Sequence, residues 1–316
     1  MSEERLVEGQ VSAMDIVLRQ PHTNVVVDRE LAYITSAGAP RPGFAGPGHT
    51  AIEVFTSDAL SHSDPFVLFM DDTLDFLPGQ PVGDPHPHAG LETVTLVLEG
   101  ALDDSSEGLL QAGDMAWMSA GQGVVHNDGT RALGRTRVLQ LWLALPRRLR
   151  SGAPQLQLIP YWSLPIRRAP GIECRLYCGM TGELSSPTLS NTSCIYTDIM
   201  LAPGKSIDQQ MPGAFTAFIY VLEGTILVGE DELSAGEVGW LKKIPEAANS
   251  AVTMRACEDG ARVILCAAQP VAEPLVHHGP FVAGTRQELA DYHSGFMEGR
   301  FPQIGQISAS TSHADG

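Results

Sequence analysis

The chain has 316 residues, 43% of them hydrophobic, and a formal net charge of −17. That length and apolar content suit one large globular domain or two ordinary ones and exclude a disordered chain. Its acidity repels phosphate backbones, and no apolar run approaches the roughly 18 residues of a spanning helix, so direct nucleic-acid binding and membrane insertion are set aside.

With 32 glycines and 22 prolines, the composition points to many short strands joined by turns. The opening MSEERLVEGQ is acidic and polar, unlike a secretory signal. Five cysteines (Cys174, Cys178, Cys194, Cys257 and Cys266) are an odd number and read as buried, reduced thiols. The expected location is therefore cytoplasmic, or nuclear in a eukaryote. Cys174 and Cys178 have no second pair to make a zinc site.

Residues 1–63 read as an irregular extension, expected to pack on the first folded unit. Its stretch AGAPRPGFAGPGH (37–49) is dense in turn residues. DPFVLFMDD (64–72) reads as a buried strand ended by acids. ETVTLVLEG, GDMAWMSAG and TRVLQLWLALP follow as strands rich in β-branched and apolar residues and bounded by Gly or Pro.

An internal repeat orders these strands. LVLEGAL (96–102) returns as YVLEGTI (220–226), and LQAGDMAWM (110–118) returns as LSAGEVGWL (233–241). The near-constant offset predicts two homologous β-domains in tandem. The first spans 64–150 and the second 151–302, with PRRLRSGAPQ at the join. Trp117 and Trp240 hold matching repeat positions and are expected in the core. Near the end, TRQELADYHSGFMEGR (285–300) predicts a helix with a Thr285/Glu288 capping box and a stop at Gly295 or Gly299. Residues 303–316 read as a flexible polar tail.

The candidate chemistry lies in DPHPHAGLETVTLVLEG (84–100). Strand alternation places His86 and His88 on one face, and the same parity carries on to Gly90 and Glu92. His126 follows the glycine-rich turn SAGQGVVH, and Asp128 lies two residues beyond. A hairpin returning beside the first strand would gather three imidazoles and a carboxylate, a donor set suited to a divalent first-row metal with open positions. The second repeat has DQQMPGAF (208–215) where His86 and His88 would fall, and no histidine occurs from 127 to 276. The second domain is thus expected to keep the sheet without the site. The remaining histidines, including His49, His277 and His278, read as structural.

At HPHAGLETVTLVLEG and GDMAWMSAGQGVVHND the chain resembles the pirin family of bicupins, whose pattern is HPHxGFETVTYxLEG and GDxQWMTAGxGIxHxE. DPFVLFMDD and EPLVHHGPFVAGTRQEL (273–289) resemble further blocks of that family, in the family's order. The resemblance runs from about residue 60 to 302. It implies an all-β fold: two tandem antiparallel cupin (jelly-roll) β-barrels with a short C-terminal helix. It implies one iron in the N-terminal barrel, held by His86, His88, His126 and Asp128. Fe(II) is the metal expected, with another divalent first-row metal as the alternative.

Four departures stand out. Asp128 replaces the family's glutamate and is one methylene shorter, which makes Glu92 the reserve ligand or base; the favoured reading is that Glu92 accepts a hydrogen bond from a ligand histidine. Ala89 and Leu91 replace a basic residue and a phenylalanine, which widens and neutralises the pocket mouth. The loop 101–111 is shorter and lacks a histidine. The front segment 1–63 is longer than usual.

Three functions follow from the resemblance. The first is an Fe(II)-dependent dioxygenase of the quercetin 2,3-dioxygenase type, taking a flavonol-like or enediol small molecule in the N-terminal barrel, with Glu92 and Asp128 as catalytic carboxylates. The second is an iron-dependent regulatory protein that binds a protein partner without catalysis. The third is a non-oxidative cupin such as an isomerase or hydrolase.

Overall fold

A computed structural model describes residues 26–56, 60–77, 80, 83–104, 108–126, 131–246, 248–307 and 310–311. Two large, mainly antiparallel sheets dominate it. The first carries, in spatial order, Gln155–Ile159, Met115–Ser119, Leu91–Glu99, Thr136–Ala144, Phe66–Leu74 and His49–Thr56. The second carries Ile172–Cys178, Cys194–Leu201, Ser250–Ala268, Thr216–Val228, Glu237–Leu241 and Leu31–Ser36. The all-β, two-cupin expectation holds. No helix among the described residues is long and apolar enough to cross a membrane.

Strand alternation explains how the sheets pack. Along Leu91–Glu99, Val94, Leu96 and Leu98 enter a layer shared with the second sheet, while Val97 enters the first barrel's own interior. Leu139, Leu141 and Leu143 likewise face the shared layer, whereas Val138, Gln140 and Trp142 line the barrel. Trp117 and Trp240 meet in that layer with Phe66, Phe69 and Phe218, each burial of this kind contributing about 1.5–3 kcal/mol. A buried polar tie crosses it: Tyr220 Oη donates to Asp71 Oδ2 at 2.9 Å, and Arg137 holds the same carboxylate at 2.7 and 2.8 Å. That ion pair raises the guanidinium pKa above its ordinary value.

Strand pairing crosses the domain boundaries expected from the sequence. Within residues 26–56, Leu31–Ser36 pairs with Glu237–Leu241 of the second sheet, and His49–Thr56 pairs with Phe66–Leu74 of the first. Gln155–Ile159, placed by sequence in the second domain, pairs with Met115–Ser119 of the first. The repeated strands Met115–Ser119 and Glu237–Leu241 would each present an open edge, and each is covered by a strand from outside its own repeat unit. Residues 1–25 lie outside the described residues.

The C-terminal block also crosses over. The hairpin of Val276–His278 and Phe281–Ala283 meets the first barrel, where Val282 N donates to Ala89 O at 3.0 Å. Phe281 and Tyr292 pack with Ala89. The helix Arg286–Met297 starts at Thr285, whose hydroxyl accepts from Glu288 N at 3.1 Å, and its chain reverses at Gly299 with φ +69°. Glu288 does not close the box back onto Thr285. Its carboxylate accepts from Gly284 N and Arg150 Nε, both at 2.9 Å. The tail expected to be flexible contains the short 3₁₀ turn Ile304–Gln306 and a strand, Ser310–Thr311, paired with Gln157 and Leu158.

Candidate metal centre

His86–His88 and Val124–His126 form a two-stranded antiparallel ladder in which His126 faces His86 and Val124 faces His88. Proline between the two histidines costs the ladder one donor but keeps the chain extended. One ligand atom from each of His86, His88 and His126 falls within 4.8 Å of the others. The ring centroids are 5.0, 4.5 and 4.8 Å apart. His88 and His126 are buried and His86 is half-buried. The Asp84 carbonyl lies 3.1 Å from His86 Nδ1. A carbonyl can only accept, so this contact puts the proton on Nδ1 and leaves Nε2 as the ligand atom. Trp142 packs edge-on against His88 at 4.9 Å.

The backbones of both histidine strands are fixed by the C-terminal block. Ala89 bridges Phe281, and Val125 N donates to Pro302 O at 2.9 Å. Gly90 makes this approach possible. Its φ is +75°, and a Cβ there would lie 1.8 Å from the Val282 carbonyl oxygen.

Gly90 also corrects the reading of Glu92. The chain turns at Gly90, so the parity of His86 and His88 does not run on into Leu91–Glu99. Glu92 shares its face with Val94, Leu96 and Leu98, towards the second domain. Its buried carboxylate accepts from Ser190 Oγ at 3.1 Å, Asn191 N at 3.1 Å and Asn191 Nδ2 at 3.2 Å. Burial raises its pKa above the ordinary carboxylate value, against the effect of these donors. It neither joins the histidine cluster nor lines the cavity. Asp128 lies outside the described residues.

His86 and His88 line a cavity of about 870 Å³ inside the first barrel, a volume that suits a small molecule, and His126 clusters with them. Its wall is mostly apolar, with Leu68, Met70, Leu74 and Val138 prominent. Among its polar members, Gln140 Nε2 donates to Thr95 Oγ1 at 3.0 Å. Two further lining residues, His49 and Asp72, escaped the sequence reading. His49 is isolated in sequence and gave no signal. Asp72 could have been found, because Leu68, Met70, Asp72 and Leu74 share one strand face. Gly279 and Pro280 reach the cavity rim from the C-terminal block, and His277 packs near Trp142 at 6.3 Å.

The donor set fits a first-row divalent ion. Neutral imidazoles suit such metals, and three of them leave coordination positions open. No thiolate or carboxylate joins them among the described residues.

Two family models match the chain: Pirin over residues 49–143 and the pirin C-terminal cupin domain over residues 196–302. A pirin-like protein 2 of Arabidopsis thaliana is 33% identical over 252 residues, spanning 73% of this chain and 75% of its own. The crystal structure of GK1651 from Geobacillus kaustophilus superposes with a TM-score of 0.71 at 28% identity, over 79% of this chain and 99% of that one. A quercetin 2,3-dioxygenase from Acinetobacter baumannii shares the fold, with a TM-score of 0.77 at 24% identity, over 87% of this chain and 99% of that one.

Proposed function

This chain belongs to the pirin family, and we propose that it is an Fe(II)-dependent dioxygenase acting on a flavonol-like or enediol substrate in its first barrel. The observation that carries the reading is a cluster of three imidazoles, two of which, His86 and His88, line a mostly apolar cavity of about 870 Å³. A divalent metal held by His86, His88 and His126 would supply Lewis acidity to an acidic hydroxyl of the substrate and a place for dioxygen at its open positions.

The protein's own groups do the rest. Apolar walls favour a flat aromatic scaffold and keep out water, which strengthens every polar contact inside. Trp142 and the Asp84 carbonyl hold His88 and His86 in place. The C-terminal hairpin fixes the backbone beside His88. Gln140 and Thr95 offer a hydrogen-bonding pair on the wall. The carboxylate for proton acceptance is Asp128, whose short side chain follows His126 by two residues; Glu92 is committed to Ser190 and Asn191.

Oxygen uptake on anaerobically Fe(II)-loaded protein, with a panel of flavonols and enediols, tests this. Uptake dependent on flavonol and abolished in His86→Ala/His88→Ala is expected. Full iron loading with no uptake across the panel would overturn the dioxygenase reading and favour a regulatory role through a protein partner.

A further inference from the structure

The cavity has a second polar patch. His49 and Asp72 lie side by side in its wall, 3.3 Å apart, on the paired strands His49–Thr56 and Phe66–Leu74. Both side chains are at least nine-tenths buried, at 2% and 9% exposure. Ala45 N donates to His49 Nδ1 at 3.2 Å. With Nδ1 accepting, the ring proton sits on Nε2, which lies 3.3 Å from Asp72 Oδ2 without making a hydrogen bond to it. Asp72 Oδ1 is buried and has no hydrogen-bond partner. The niche is shaped for the ring: a Cβ at Gly43 would lie 2.2 Å from His49 Nδ1. Phe44, also in the wall, packs edge-on against both His49 and His86, its ring centroid 5.4 Å from one and 5.8 Å from the other.

An orphaned carboxylate oxygen in an apolar wall is costly unless something donates to it. We propose that Asp72, positioned by His49, is a specificity site that accepts a hydrogen bond from a phenolic hydroxyl at the far end of a substrate whose near end meets His86, His88 and His126. This rests on the reading that the cavity receives a flat aromatic hydroxy compound. An ammonium group would suit the carboxylate in charge, but burying it among Met70, Leu74 and Val138 carries a desolvation cost of several kcal/mol. A hydroxyl carries far less and donates one proton without transferring it. The geometry also leaves Asp72 free of a ligand role, since it stands outside the histidine cluster.

Two flavonols that differ by one hydroxyl on the lateral ring, galangin without it and kaempferol with it, make the probes. Their Kd values are measured anaerobically by fluorescence titration on the full-length, metal-loaded chain, so that no turnover intervenes. The wild type is expected to prefer kaempferol about tenfold, as one hydrogen bond to a charged group should give. Asp72→Asn, which keeps the volume and removes the charge, should shrink that ratio, and Asp72→Leu, which removes the acceptor, should abolish it. Metal content should be equal in all three proteins. Because the readout is a ratio within one sample, loss of folded protein does not imitate it, and Asp72→Asn serves if Asp72→Leu does not fold. Equal affinity for the two flavonols in the wild type, or a preference that survives both variants, overturns this site. Failure of both flavonols to bind the wild type overturns the substrate reading beneath it. A fall in metal content confined to the variants would make Asp72 part of the metal centre and refute the proposed role.

Discussion

The two barrels repeat one sheet and differ in what they enclose. Gly100, just after Leu91–Glu99, and Gly224, within Thr216–Val228, hold corresponding positions with nearly the same backbone, φ +76° and +72°, and in both a Cβ would run into a carbonyl oxygen, of Arg135 at 2.5 Å and of Gly260 at 2.0 Å. Trp117 and Trp240 enter the same shared layer. Inside, the likeness stops. The ladder that carries the histidines in the first barrel has, in the second, Ile207, Gln209 and Met211 facing inward opposite Met254, Val252 and Ser250. All but Gln209 and Ser250 are apolar, and the interior is filled by Leu176, Ile195, Ile219 and Leu265. Gln209 is satisfied by Thr181 at 3.1 Å and by the Cys174 sulfur at 3.4 Å. The fold therefore does not need the histidines, and a barrel without them closes its cavity with side chains.

The strongest break of that comparison is to remove the histidines. His86→Ala/His88→Ala should take metal content, read by mass spectrometry on untagged protein, from about one ion per chain to background, a loss beyond the roughly 10–100-fold that outer-shell partners alone cost. Equal metal in both proteins would place the site elsewhere. Second in size is the shared layer. Trp117→Ala and Trp240→Ala should each cost about 3–5 kcal/mol in denaturant unfolding, alike in the two copies. A large loss from one and none from the other would end the equivalence. Third, Gly90→Ala should cost about 1–3 kcal/mol through its left-handed backbone alone, more if the Val282 carbonyl cannot yield. It should also weaken metal retention, because the same contact holds the strand of His88. Gly224→Ala should destabilise without touching metal content.

Most of the fold was legible because its signals are local and repeated: glycine-bounded strands, a fixed offset, a capping threonine. The metal trio was legible because His-x-His on a strand defines a face without tertiary knowledge. What escaped depends on long-range pairing. No local pattern in Leu31–Ser36 says that it will cover the edge of Glu237–Leu241 rather than the nearer sheet, or that EPLVHHGPF will close over His88. Glu92 was misplaced because parity was extended through Gly90, where the chain turns. His49 has no sequence neighbour to betray it; its partner Asp72 comes from the adjacent strand.

Glu92 supplies the smallest test and the one with a definite sign. Its carboxylate joins the barrels by accepting from Ser190 and Asn191, yet burial raises its pKa above the ordinary 4.5. The native state then holds this proton more tightly than the unfolded chain does. Its contribution to stability is fullest below pH 4.5 and is lost as pH rises towards the native value. Glu92→Gln keeps the shape and removes the titration. The melting temperature of the wild type, taken relative to Glu92→Gln, should therefore fall as pH rises from 4.5 through the range above it, while the other carboxylates cancel in the difference. A difference that grows with pH would mean that the donors on Ser190 and Asn191 outweigh burial. Glu92 would then clamp the two barrels as a charged group, and the interface would be strongest where the carboxylate is ionised.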